Sequence, residues 1–286
     1  MRNLPDFPWD LLAPYGDKAK KYSDGFIDLS QGTPVDATPK FIQEALASAS
    51  NSPSYPIVAG SEQLRSAMRD WAIKNLGVSG EFDVMPVIGS KEFIALLPTF
   101  LQSKKVLYPK VAYPTYLVSG LMASAETIAV DIDAANWPKA DLTWLNSPSN
   151  PTGSVYSPEQ VKAIGNWALA NGLWVVTDEI YEHLLYDGAT APSICVAVPA
   201  LADRTIIING VAKTYAMTGW RVGWMIGPKD VIKAATNLQS HLSSNVSNIS
   251  QRAAIAALTG NLDAVHEMGV AFNRRRKLIV DLINEI

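Results

Sequence analysis

Short β-branched apolar runs alternate along this chain with stretches of helical periodicity. The runs at residues 84–88, 106–107, 127–130, 142–145, 173–177 and 204–208 are too short for helices and read as buried strands. Helix signals lie between or before them at 41–48 (opening after Pro39), 62–75, 93–100, 117–123 and 158–171. In the second of these, Leu64, Met68, Trp71 and Ala72 share one face. A parallel strand pair needs a crossover, and a helix supplies it, so the alternation predicts an α/β fold with a mostly parallel sheet. Residues 25–29 read as one more short strand, entering a turn at Gly32-Thr33-Pro34. Residues 1–37, rich in Pro, Gly and Asp, form a lead-in rather than a domain.

Ligands of such sheets sit beyond the carboxyl ends of the strands. The candidate polar residues fall there: Gly89-Ser90-Lys91, Tyr113, the loop 146–153 with Asn150 at its centre, Asp178 with Tyr181, and Lys213. Gly89 to Glu92 joins a strand to a helix, and the free N–H groups of a helix start attract an anion. It lacks the Gly-x-x-x-x-Gly-Lys spacing of a nucleotide loop. Asp178 at a buried strand end is a helix cap, a metal ligand or the partner of a cationic nitrogen, and no neighbouring His or Cys favours metal. Lys213 follows the strand at 204–208 among small and aromatic residues, with Arg221 a little further on. Desolvation there lowers an amine's pKa toward the nucleophilic free base, and an arginine can hold an anion bidentately. The plainer alternative is a surface lysine and a structural ion pair.

Composition limits the remaining classes. The chain has 286 residues, 48% hydrophobic and 18% charged, enough for a large core without a disordered bias. A net charge of −3 gives no reason to expect nucleic acid or an anionic membrane as partner. The single cysteine, Cys195, excludes an intramolecular disulfide and a zinc cage, and fits a reducing cytoplasm. His183, His241 and His266 have no metal-ligand spacing and read as structural or surface residues. No run approaches a membrane span, and the start of the chain lacks the apolar core of a signal peptide.

Taken together, Ser149-Asn150-Pro151-Thr152-Gly153, Asp178-Glu179-Ile180-Tyr181, Ala212-Lys213 and Met217-Thr218-Gly219-Trp220-Arg221 resemble the class I/II aminotransferases. These are the pyridoxal-phosphate enzymes of the aspartate aminotransferase fold, fold type I. Gly32, residues 55–60, Gly89-Ser90-Lys91-Glu92 and Tyr113-Pro114-Thr115-Tyr116 support the match, which spans essentially the whole chain in order. The resemblance implies that Lys213 carries pyridoxal 5′-phosphate as a Schiff base and then moves the substrate proton. It makes Asp178 the partner of the ring nitrogen, Asn150 and Tyr181 donors to the phenolic oxygen, and Tyr113 the stacking ring. Arg221 with Gly89, Ser90 and Lys91 would hold the phosphate, and Gly32 would lie on a lid over the substrate, which Asn150 also touches. Tyr55 would reach the phosphate of a neighbouring subunit, implying a homodimer.

The resemblance also divides the chain: 1–37 as an N-terminal arm with part of a small domain, 38–270 as the large cofactor-binding domain, and 271–286 as the start of a linking helix. Relatives continue beyond this point into a small domain that carries an arginine for the substrate α-carboxylate. The expectation is therefore a large domain with the small domain largely missing. Up to about Asp178, including Phe7-Pro8-Trp9-Asp10, the wording resembles succinyldiaminopimelate aminotransferases, and from Glu179 onward aspartate and aromatic aminotransferases. The implied reaction exchanges glutamate or 2-oxoglutarate with succinyldiaminopimelate or aspartate as partner. A lyase on the same scaffold, or a cofactor-binding fragment with impaired catalysis, are the alternatives.

Overall fold

The computed structural model describes residues 4–285; Met1–Asn3 of the lead-in and Ile286 at the end of the expected linking helix lie outside them. Seven strands form one sheet: β1 Asp83–Ile88, β2 Lys105–Pro109, β3 Glu126–Val130, β4 Leu142–Asn146, β5 Trp174–Asp178, β6 Thr205–Gly210 and β7 Val222–Gly227. Their spatial order is β1-β7-β6-β5-β4-β2-β3. All neighbours pair in parallel except β7, which runs against both β1 and β6. The carboxyl ends of β1 and β4–β6 therefore share one edge with the amino end of β7.

Eleven α-helices accompany the sheet among the described residues: α1 Ala13–Ala19, α2 Lys40–Ser48, α3 Glu62–Trp71, α4 Ser90–Phe100, α5 Pro114–Met122, α6 Pro158–Asn171, α7 Ile194–Ala197, α8 Val211–Thr214, α9 Lys229–Leu242, α10 Asn248–Thr259 and α11 Asp263–Asn284. Alternation along the strands sends side chains to two cores. Ile206, Ile208, Val176 and Trp144 face α4, α5 and α9 through Phe93, Leu97, Tyr116 and Ile232. On the other face Ile207, Trp224 and Ile226 meet Leu64, Met68 and Trp71 of α3 and Ala253 of α10. Leu145 and Val175 meet Ile164 and Ala168 of α6. Each such fully buried aliphatic side chain contributes about 1.5–3 kcal/mol. The result is a three-layer α/β/α fold, as the alternation predicts.

Residues 25–29 are not a strand. Ile27 and Leu29 are largely exposed, and among the described residues no backbone strand pairs with them, so the apolar run has no ladder to join. The helix expected over 62–75 changes at Ala72 to a wider-wound turn, Ala72–Leu76, which ends at Gly77.

Candidate active site

The carboxyl edge of the sheet opens into a cleft of about 1100 Å³. Its wall includes Gly32, Lys91, Tyr113, Asn150, Tyr181 and Lys213. Asp178 lies at the end of β5 and is 5% exposed. Tyr116, buried one helical turn after Tyr113 and stacked on Trp144 at 4.9 Å, donates its hydroxyl to Asp178 Oδ2 at 2.8 Å. The Ile180 N–H reaches Oδ1 at 3.3 Å. Burial pushes the Asp178 carboxyl up to about 6, against the pull of these two donors and of Lys213.

Asn146 shapes the neighbouring loop. Its Nδ2 donates to the Asp178 carbonyl at 2.9 Å and the Pro148 carbonyl at 3.1 Å, and its Oδ1 accepts from the Asn150 N–H at 2.6 Å. Asn150 is thereby set beside Tyr181, with Nδ2 at 3.4 Å from the phenol oxygen. Lys213 sits on α8 just past β6, half-buried, and its Nζ donates to the Gly32 carbonyl at 2.7 Å. The amine lies 5.9 Å from the Tyr181 ring centre. Burial lowers its pKa, Asp178 raises it and Arg221 lowers it further, with lowering as the net direction.

Arg221 reaches the same edge because β7 begins there. The Gly89 N–H donates to the Arg221 carbonyl at 3.1 Å, and the guanidinium donates to the Thr218 carbonyl at 2.8 Å. Gly89 is buried with φ +67°, and a Cβ there would collide with the guanidinium. The glycine lets the guanidinium lie directly against the first turn of α4, where Ser90 and Lys91 lie. The Lys91 ammonium itself turns to the cleft wall, 3.9 Å above the Phe7 ring.

Six of the expected residues thus line the cleft, Asp178, Gly89, Ser90 and Arg221 lie at the same strand edge behind it, and Tyr55 stands apart. Tyr55 is 93% exposed and does not line the cleft. Tyr116 and Asn146 are site residues that sequence reasoning missed as such. Arg276 of α11, paired with Asp187 and lying 4.9 Å over the Tyr186 ring, also joins the wall. Among the described residues no group of three His, Cys, Asp or Glu could hold a metal, and no helix is long and apolar enough to cross a membrane.

Residues 24–286 match the family model for aminotransferase class I and II. The chain belongs to the class I and II aminotransferases. These transferases work with pyridoxal phosphate. An aspartate aminotransferase of Streptomyces avermitilis is 46% identical over 91% of this chain and 68% of that protein. A probable aminotransferase of Mycobacterium tuberculosis is 36% identical over 93% of this chain and 64% of its own length. The chain spans about two thirds of these relatives. The crystal structure of the aspartate aminotransferase of Rhizobium meliloti superposes with a TM-score of 0.90 at 28% identity, covering 99% of this chain and 75% of that one. The N-succinyldiaminopimelate aminotransferase of Mycobacterium tuberculosis gives 0.82 at 29% identity, covering 90% and 72%. Two of the aminotransferase types named by the sequence resemblance, aspartate and succinyldiaminopimelate, are represented in these structures.

The donor set fits the family's cofactor. An arginine packed on Gly89 beside a helix start suits a phosphate. A buried carboxylate bonded, among the described residues, by neutral donors suits a protonated ring nitrogen, and a half-buried amine suits a carbonyl carbon.

Proposed function

We propose that this chain catalyses pyridoxal-phosphate-dependent transamination between an acidic amino acid and a 2-oxo acid. Glutamate and 2-oxoglutarate form one pair, with aspartate or succinyldiaminopimelate on the other side. One observation carries the reading: at the carboxyl edge of the sheet a half-buried lysine amine in the cleft wall, a buried carboxylate and an arginine held against a helix start come together.

When bound, the cofactor supplies a sink for the electron pair left as the substrate Cα–H bond breaks. Lys213 would hold the cofactor and then carry the substrate Cα proton on Nζ to the cofactor's C4′ carbon. Its lowered pKa keeps more free base available at neutral pH. Asp178 keeps the ring nitrogen protonated. Asn150 Nδ2 and the Tyr181 hydroxyl donate to the phenolic oxygen, Tyr113 covers the ring, and Arg221 with the α4 N–H groups holds the phosphate. Gly32 and Asn150 border the substrate. Tyr55, exposed on its loop, is read as reaching the partner's phosphate in a homodimer.

Two cations on the wall favour an acidic substrate. Lys91 makes no ion pair among the described residues, and Arg276 has only the solvent-facing Asp187. The visible spectrum with pyridoxal phosphate, before and after glutamate, tests the reaction. A band that shifts to the pyridoxamine form, with 2-oxoglutarate released, is expected; ammonia release instead would sink it. Lys213→Ala should abolish covalent attachment, read by borohydride reduction and mass spectrometry. Cofactor still fixed in that variant would remove Lys213 from its role.

A further inference from the structure

Glu182, His183, Asn209, Tyr215 and Trp71 form a second polar cluster, and none of them lines the cleft. Asn209 is fully buried near the end of β6. Its Nδ2 donates to the Glu179 carbonyl at 3.2 Å and to Glu182 Oε2 at 3.1 Å. Its Oδ1 accepts from the Gly210 N–H at 2.6 Å. One side chain therefore joins the turn after β5, which carries Tyr181, to the residue that opens the Lys213 helix.

There is little slack around this junction. A Cβ on Gly210 would stand 3.0 Å from the Val222 carbonyl oxygen and 3.1 Å from the Gly223 Cα. Among the described residues Glu182 Oε1 and His183 Nε2 are buried without a hydrogen-bond partner, and the Tyr215 hydroxyl and Trp71 Nε1 are buried beside each other. Glu182 Oε1 and His183 Nε2 stand 3.8 Å apart, and the His183 ring meets Trp71 edge-on at 5.7 Å. Polar groups so placed tolerate few rearrangements, because each alternative must also bury them.

We propose that Asn209 and Glu182 are positioning residues: their hydrogen bond clips the turn bearing Lys213 to the turn bearing Asp178 and Tyr181, and so keeps the lysine amine half-buried. The proposal rests on reading Lys213 as the reactive amine. Burial raises the Glu182 carboxyl to about 8, with Glu179 and Asp178 adding to the rise. Glu182 is then neutral near pH 7, and a glutamine can stand in for it. His183 beside it is kept neutral by burial and by His266, and Tyr215 is pushed up to about 12.

The test is the pH dependence of Lys213 acetylation by acetic anhydride, followed by mass spectrometry on the full chain without added cofactor. Asn209→Ala and Glu182→Ala should free the turn, solvate the amine and raise its titration midpoint by about half a unit or more, roughly a threefold loss of free base at fixed pH. Glu182→Gln should keep the wild-type midpoint. An unchanged midpoint in both alanine variants, with only the melting temperature lowered, would overturn the proposal. A shift in Glu182→Gln as large as in Glu182→Ala would do the same. Should the alanine variants not fold, Glu182→Met keeps bulk without the acceptor; it should shift the midpoint, and a wild-type value defeats the idea. Uptake of pyridoxal phosphate by the wild type, measured in parallel, tests the reading of the site itself, and its failure leaves the labelling result to decide the clip.

Discussion

Asp178 is a buried carboxylate whose strongest pull toward ionisation comes from one phenol. Burial and the Tyr116 hydroxyl pull its pKa in opposite directions, and the balance stands at about 6. A hydrogen bond to a charged group contributes about 1.5–3 kcal/mol. Removing it in Tyr116→Phe should raise the Asp178 pKa by roughly one to two units at 1.36 kcal/mol per unit. The carboxyl would then be mostly protonated at pH 7 and unable to hold a cationic nitrogen. The expected outcome is weaker pyridoxal phosphate binding at pH 7 that recovers as pH rises, measured by fluorescence titration across pH. Equal affinity and equal pH dependence in wild type and variant would rule this out. At Lys91, substitution by alanine should raise the KM for glutamate about tenfold, the loss of about 1.4 kcal/mol, and leave that for alanine nearly unchanged. The sequence showed the aspartate and the lysine but not the phenol. Tyr113 and Tyr116 stand three apart, and only the packing of α5 against β4 and β5 turns the second toward Asp178.

At the scale of elements, the legible ones were those whose ends are chemically marked. Helix α6 runs Pro158–Asn171 because Ser157 and Gln160 form a capping box and Gly172 ends it in a left-handed turn. Six of the seven strands were legible as β-branched runs; β7 was not legible as a strand, nor α9 and α10 as helices. Two further features were not legible. Residues 25–29 have strand composition but no partner, and pairing is a property of the assembled sheet. The reversed direction of β7 also left no local mark, yet it delivers Arg221 to the edge where β1 ends. That junction is tight at Gly89, so Gly89→Ala should drive the guanidinium out of its place and strain a backbone at φ +67°. A loss of phosphate-group affinity of about tenfold or more is expected, since displacing one charged donor costs about 1.5–3 kcal/mol. Titration with pyridoxal phosphate against unphosphorylated pyridoxal measures it; a variant that loses affinity equally for both places the defect elsewhere.

The whole molecule carries an unusual load of buried acid. Glu179 and Glu182 are both buried, with pKa values of about 7 and about 8 against an ordinary 4.5. Their folded-state values are raised, so the stability they contribute is complete below the ordinary value and is lost as pH climbs through 7 and 8. The cofactor-free protein should therefore melt at progressively lower temperature from pH 7 to pH 9. Glu182→Gln should flatten that decline. His183, whose pKa is lowered, acts below its ordinary 6.5 and stays out of this window. Calorimetry at pH 7, 8 and 9 decides it, and a melting temperature that holds steady or rises would count against the buried-acid account. The turn-back of β7 has one more consequence. Because β7 folds directly against β6, the amine at Lys213 and the guanidinium at Arg221 lie close together on one continuous piece of chain. Hybrids built by recombining segments of related aminotransferases should keep this cationic pair intact whenever both breakpoints fall outside that piece, while Phe7, Asn150 and the rest of the cleft wall are exchanged freely around it.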